Sequence, residues 1–192
     1  FATVQSWGKL SIGADTFGWG NGILAHDGRT DRHFGDPQRG NVVGRLSYGF
    51  RPSQSDALKP WMIFAAGDVV IRDENAEIFE GDLARQAVLG TRWSGDDFEA
   101  GLLALVRWQR DRVDPFHPSG ESVDSVAIPL DVYARKTMGS DTDPIQTTVR
   151  AEVAHIRGKT ERLWNGETGP EGGKLRSLGV NTAVSFKHTT SG

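Results

Sequence analysis

The chain has 192 residues, 24% of them charged, and a formal net charge of −3. That balance supports neither a nucleic-acid-binding surface nor a polyanionic tail, and the absence of cysteine excludes a disulfide framework and a thiolate metal site. No run of about 18 apolar residues is present, which excludes a membrane-spanning helix but not a membrane β-barrel, where only alternate strand residues meet lipid. The chain starts at Phe1 with no signal segment. The expectation is that a leader was removed or that the chain belongs to a longer polypeptide.

Thr3 to Ala14 predicts a first strand, with Val4, Gly8, Leu10, Ile12 and Ala14 on one face and Gln5, Lys9 and Ser11 on the other. Asp15 to Gly40 is rich in Gly, Asp, His and Arg, lacks helical periodicity and reads as a long loop, with room for the preceding strand to reach Trp19. Asn41 to Phe50 is the second strand, with Arg45 and Ser47 opposite Leu46, Tyr48 and Phe50. Pro60 to Ile71 is the third, with Trp61, Ile63, Ala65, Val69 and Ile71 outward and Asp68 on the other face. A charged loop, Arg72 to Ala84, follows.

Arg85 to Arg110 is the clearest element. Ala87, Leu89, Thr91 and Trp93 share one parity before the turn Ser94-Gly95-Asp96-Asp97, and Phe98, Ala100, Leu102, Ala104, Val106 and Trp108 share one parity after it. Gln86, Arg92, Glu99, Arg107 and Gln109 take the opposite parity. A period of two on both sides of a tight turn is a β-hairpin with one apolar and one polar face.

Asp111 to Asp124 reads as another loop. Ser125 to Met138 is the sixth strand, with Val126, Ile128, Leu130, Val132 and Ala134 outward and Asp131, Tyr133 and Arg135 inward. Pro129 within it predicts a bulge. After the turn Gly139 to Pro144, Ile145 to Arg157 is the seventh, with Arg150 and Glu152 inward. Gly158 to Ser177 reads as a loop, and Leu178 to Thr189 as the eighth strand, with Val180, Val184 and Phe186 outward and Lys187 inward.

Three regularities select the architecture. The strands run to about 9–14 residues, a length suited to tilted membrane-spanning strands and long for globular ones. Connections alternate long and short, as in barrels with long extracellular loops and short periplasmic turns. Trp61, Trp93, Phe98 and Trp108 sit at strand ends, where an aromatic girdle meets the lipid–water interface. The expected fold is therefore an all-β, antiparallel up-and-down transmembrane β-barrel, one domain or barrel segment over residues 1–192, with about eight strands in this chain. A soluble ligand-binding β-barrel shares the alternation but reverses the faces, and parity alone does not distinguish the two.

The segment GWGNGILAHDG (Gly18 to Gly28), followed by HFGD (His33 to Asp36), resembles the first long loop of large porin-like outer-membrane proteins of myxobacteria and their relatives. The strand pattern as a whole is similar to that of Gram-negative outer-membrane β-barrels. The resemblance implies a lumen, passive passage of solutes and no catalytic residues. The ending Lys187-His188-Thr189-Thr190-Ser191-Gly192 departs from it, because such barrels commonly finish on an aromatic residue. That departure, and the charges needing a wet interior, lead to the expectation of a piece of a larger barrel.

The expected pore-lining residues are Lys9, Arg45, Arg92, Glu99, Arg107, Asp131, Arg135, Arg150, Glu152 and Lys187. Basic ladders in a pore favour anions; the bland alternative is Arg paired with Glu99, Asp131 or Glu152 across strands. His26, Asp27, Asp31, His33 and Asp36 invite a divalent-metal reading, but their spacing matches no metal motif and a hydrated loop is the simpler account. Gly18 to Gly22 lacks the Lys-Ser/Thr and the helix of a phosphate loop and reads as a flexible or lumen-folded loop. Asp73, Glu74, Glu77 and Glu80 do not match a calcium loop, and no G-x-S-x-G elbow is present.

The expected function is a bacterial outer-membrane porin-like channel for small polar or anionic solutes, not an enzyme, with no metal or other cofactor. Its partners would be membrane lipids, the solutes, and envelope proteins or further copies of the chain, but no nucleic acid. A scaffold barrel in an envelope assembly is the alternative.

Overall fold

A computed structural model describes residues 2–5, 8–28, 40–52, 60–73, 75–111, 123–140, 143–161 and 173–188. Nine strands form one sheet: β1 (Ala2–Gln5), β2 (Gly8–Thr16), β3 (Val42–Phe50), β4 (Trp61–Arg72), β5 (Leu83–Ser94), β6 (Phe98–Asp111), β7 (Val123–Met138), β8 (Ile145–Thr160) and β9 (Gly173–His188). Each pairs antiparallel with its neighbour in sequence, so the sheet is an up-and-down meander. β1 and β9 are its two edges and do not pair with each other; the sheet is open.

The expected first strand is two. Gln5 pairs with Gly8, so Thr3 to Ala14 reverses direction and adds a short edge strand. The expected shared face of Val4 and Leu10 fails with it: the register sets Val4 opposite Lys9 and Thr3 opposite Leu10, because the reversal between Gln5 and Gly8 shifts the alternation by one residue. The expected bulge at Pro129 is absent. β6 and β7 pair at Ala104↔Leu130, leave Pro129 unpaired on that side, and resume at Arg107↔Ala127 in the same register. A missing N–H removes a ladder bond without demanding an extra residue.

β8 and β9 extend past their predicted ends, to Thr160 and back to Gly173. These ends carry Lys159, Lys174 and Arg176 and read as loop from polarity. The ladder continues because backbone pairing does not depend on an apolar face.

The two faces differ sharply. Leu102, Val132, Val153 and Val180 are paired in one lateral row and are 42%, 50%, 44% and 64% exposed. On the opposite face Leu103 and Asp131 are 0% exposed and Glu152 is 1% exposed. The buried face is covered by residues 17–28, which fold back over the sheet. Phe17 lies under the Arg45 guanidinium of β3 at 4.1 Å, and Ile23 reaches Gly179 of β9, where an added Cβ would stand 3.1 Å from its Cγ2. In a flat sheet those strands are six spacings, roughly 29 Å, apart. A short segment containing a tight turn touches both, so the sheet curves around it.

Phe17, Trp19 and Ala25 of this segment join Val43, Val70, Val88, Leu103, Leu105 and Tyr133 in the core. At the short-turn end, Lys136 of β7 pairs with Asp97 of the β5–β6 turn, and the Thr137 N–H donates to the Asp97 carbonyl at 2.7 Å. The Lys136 ammonium, through its hydrogen bond, holds the Asp97 carboxyl below the ordinary carboxylate range. A depressed carboxyl stabilises the fold above its unfolded value, about pH 4, and loses that contribution as pH falls through the folded value. Lys136→Met is expected to return Asp97 to the ordinary range in an NMR titration; an unmoved Asp97 would mean that the pair is not its cause.

Candidate functional site

The inner face gathers most of the charged residues expected to line a lumen, and it pairs them. Asp68 of β4 sits opposite Arg45 of β3, and Arg45 donates through Nε and Nη2 to both Asp68 oxygens at 2.7 Å. Gln86 of β5 adds a third donor to Asp68 at 2.8 Å. Glu99 of β6 accepts from Arg92 at 3.1 Å, from Arg135 at 3.3 Å and from the Tyr133 hydroxyl at 2.6 Å. Arg107 reaches past the end of β4 to Asp73, and its Nε donates to Gln109 at 2.9 Å. Arg150 is half-buried on the same face, and Lys9 and Lys187 are exposed. The strand pleat explains the gathering: one parity across antiparallel neighbours puts opposite residues within side-chain reach.

These pairs bear on selectivity. Arg45 and Arg107 each hold a carboxylate and Arg92 and Arg135 share Glu99, so three carboxylates offset most of the charge of four guanidiniums in the basic ladder expected from sequence. The Arg45–Asp68 pair is also buried, with side-chain exposures of 12% and 0%. Removing one partner of such a pair leaves an uncompensated charge, at about 3–5 kcal/mol. Asp68→Ala is expected to lower stability by that amount in equilibrium unfolding, and a loss under 1 kcal/mol would show that water reaches Arg45 freely.

The loop around Gly18 to Gly22 folds over the inner face, and the contacts that hold it there are the part of the site that sequence reasoning missed. The Trp19 indole N–H donates to Asp131 Oδ1 at 2.9 Å. Its ring meets Tyr133 edge-on at 5.0 Å and Phe64 at 5.8 Å. Gly101 of β6 leaves room for it, since a Cβ there would fall 2.7 Å from the indole and 2.4 Å from the Tyr133 ring. The turn Trp19–Gly22 is closed by the Gly22 N–H at 3.0 Å. It aims the Asn21 and Ile23 N–H groups at the Glu152 carboxylate, the latter at 3.3 Å. Gly20 must be glycine twice over: its φ is +51°, and a Cβ would lie 2.7 Å from Glu152 Cδ.

The Gly-rich motif, which lacks the marks of a phosphate loop, turns its backbone N–H groups onto the Glu152 carboxyl group of the wall. The available signal was Gly-Trp-Gly-Asn-Gly itself; its target, Glu152, lies on β8, too far along the chain to infer from sequence.

Asp131 and Glu152 touch across β7 and β8, and Asp131 Oδ2 meets no donor among the described residues. Between the loop and the wall lies a cavity of 490 Å3 bordered by Phe17, Ile23, His26, Leu105, Arg107 and Ile156.

Of the loop residues read for metal binding, His26 is buried and Asp27 half-buried; Asp31, His33 and Asp36 lie outside the described residues, as does Glu74. Among the described residues no group of three His, Cys, Asp or Glu side chains converges. Asp73 accepts the Asn75 and Ala76 N–H groups at 2.8 and 2.9 Å besides holding Arg107. On the outward face Trp61 pairs with Trp93, and Trp93 meets Phe98 at 5.5 Å. These three stand near the short-turn ends of their strands, and Trp108, half-exposed, stands near the opposite end of β6.

The fold defines the chain as an all-β protein built on one open, curved antiparallel meander. No protein-family model, curated protein or solved structure matches it.

Proposed function

We propose that this chain forms wall of an outer-membrane β-barrel through which small polar solutes pass by diffusion, with the 17–28 loop narrowing the passage. The observation that carries the reading is the inverted polarity of the sheet. The aliphatic row Leu102, Val132, Val153 and Val180 is exposed, while Asp68, Asp131 and Glu152 are buried on the side of the loop. A sheet folded for water places these groups the other way round, and that opposes the soluble ligand-binding alternative. Lipid leaves no sheet edge unpaired, so β1 and β9 require strands beside them to complete a barrel.

Selection would act chiefly by size. The arginine–carboxylate pairs cancel most of the inner field, so the anion preference of an unopposed basic ladder is not expected. Reconstituted into planar bilayers, the protein should give ohmic conductance with a cation-to-anion permeability ratio near one. A strong preference of either sign would overturn the charge pairing as the controlling feature. A sealed bilayer with inserted protein would overturn passage altogether and leave the second reading, a scaffold barrel. That reading is favoured by one observation: the loop covers the inner face closely enough to bury Trp19, Asp131 and Glu152.

A further inference from the structure

The register of β8 on β9 sets Arg157 directly opposite Arg176 and Lys159 directly opposite Lys174. All four are exposed. They share the parity of Val149 and Val153 on β8 and of Leu178 and Val180 on β9, so they stand on the outward, apolar face. Opposed side chains of an antiparallel pair have Cβ atoms about 4.5–5.5 Å apart, and like charges so placed repel.

Among the described residues the carboxylates on this face at this end are Asp124 and Glu161. Asp124 is held by Arg110 at 2.8 Å, and Glu161 accepts the Asp124 N–H at 3.1 Å. Among the described residues no ion pair joins either of them to the four cations. Positive charge so concentrated, with no ion-pair partner among the described residues, is a site for an anion from outside.

Position says which anion. Along β8 and β9 the outward face runs Val149↔Val184, Val153↔Val180 and His155↔Leu178, and the next outward pair is Arg157↔Arg176. The charges therefore begin where the apolar belt ends, on the side of the long connections. We propose that Arg157, Lys159, Lys174 and Arg176 form a binding site for phosphate-bearing lipid head groups at the rim of the belt. The two cation pairs lie two residues apart along the strands, roughly 7 Å, a spacing that spans the oxygens of a head group. This inference rests on the membrane reading above.

Its test uses the full chain in neutral detergent, with phosphatidylglycerol or phosphatidylcholine added and retained lipid counted by native mass spectrometry. Each Lys or Arg near an anionic surface contributes roughly fivefold, so phosphatidylglycerol should be retained on the order of tenfold or more over phosphatidylcholine. The variant R157Q/K159Q/K174Q/R176Q should lose that preference. In neutral detergent alone the variant should unfold at the same temperature or higher, because the cross-strand repulsion is gone; with phosphatidylglycerol the order should reverse.

Equal retention of both lipids by the unmodified protein, or an unchanged preference in the variant, overturns the site. Inorganic phosphate giving the same stabilisation as the lipid overturns the lipid as its source. Failure of the protein to enter vesicles of either lipid sinks the membrane reading instead, and is read from flotation before any lipid is counted.

Discussion

Val132→Arg is expected to destabilise the lipid-embedded protein by about 2–4 kcal/mol, the cost of a cation near the bilayer midplane on a barrel's outer face. Val132 is 50% exposed in the middle of β7, flanked by Leu102 of β6 and Val153 of β8. In water the same change at a half-exposed position is worth within about 0.5 kcal/mol. Equilibrium unfolding from vesicles separates the two by several-fold. Ala134→Arg, one outward position nearer the turn and next to the natural Lys136, should cost less because the penalty falls toward the interface. A flat profile across Val132 and Ala134 would mean that neither faces lipid.

Trp19→Ala should release the loop from the wall. The indole is 6% exposed, packs on Phe64 and Tyr133, and donates to Asp131. Truncating a buried Trp costs about 3–5 kcal/mol, and here most of that attaches a loop rather than the sheet. Limited proteolysis is expected to cut within residues 17–28 while the strand ladder, read by circular dichroism, persists. In the bilayer experiment the conductance should rise. Trp19→Phe keeps most of the packing and removes the hydrogen bond to Asp131, so an intermediate effect of about 1–3 kcal/mol is expected. Equal protease resistance of all three proteins would show that Glu152, through the Asn21 and Ile23 N–H groups, anchors the loop without Trp19.

These experiments address different layers of the molecule, and the sequence was informative about them to different degrees. Except for β4, which is apolar on both faces apart from Asp68, strand positions from β3 to β8 follow from a period-two alternation, a local property that any antiparallel pairing must respect. It misled where polarity was not the deciding quantity. Lys159 and Lys174 are strand residues because backbone hydrogen bonds continue past the apolar belt, and the β1–β2 reversal went unread because no Asn-Gly or Asp-Gly signal stands between Gln5 and Gly8. The arginine partners were half legible. Glu99 lies near Arg92 across a visible turn, whereas Asp73 meets Arg107 only once β4, β5 and β6 are in register.

By itself the sequence determined that the chain is all-β, which residues share a face of each strand, and that one face is apolar and the other charged. Parity is symmetric under exchange of the two faces, so it left open which of them is covered. Only the tertiary structure decided that, by folding Phe17 to Ala25 over the charged face and leaving Leu102, Val132, Val153 and Val180 outside. The physical reason is that the loop's Trp19 indole and Asn21 backbone N–H groups find their acceptors in Asp131 Oδ1 and Glu152, a match between segments more than a hundred residues apart that no local pattern encodes.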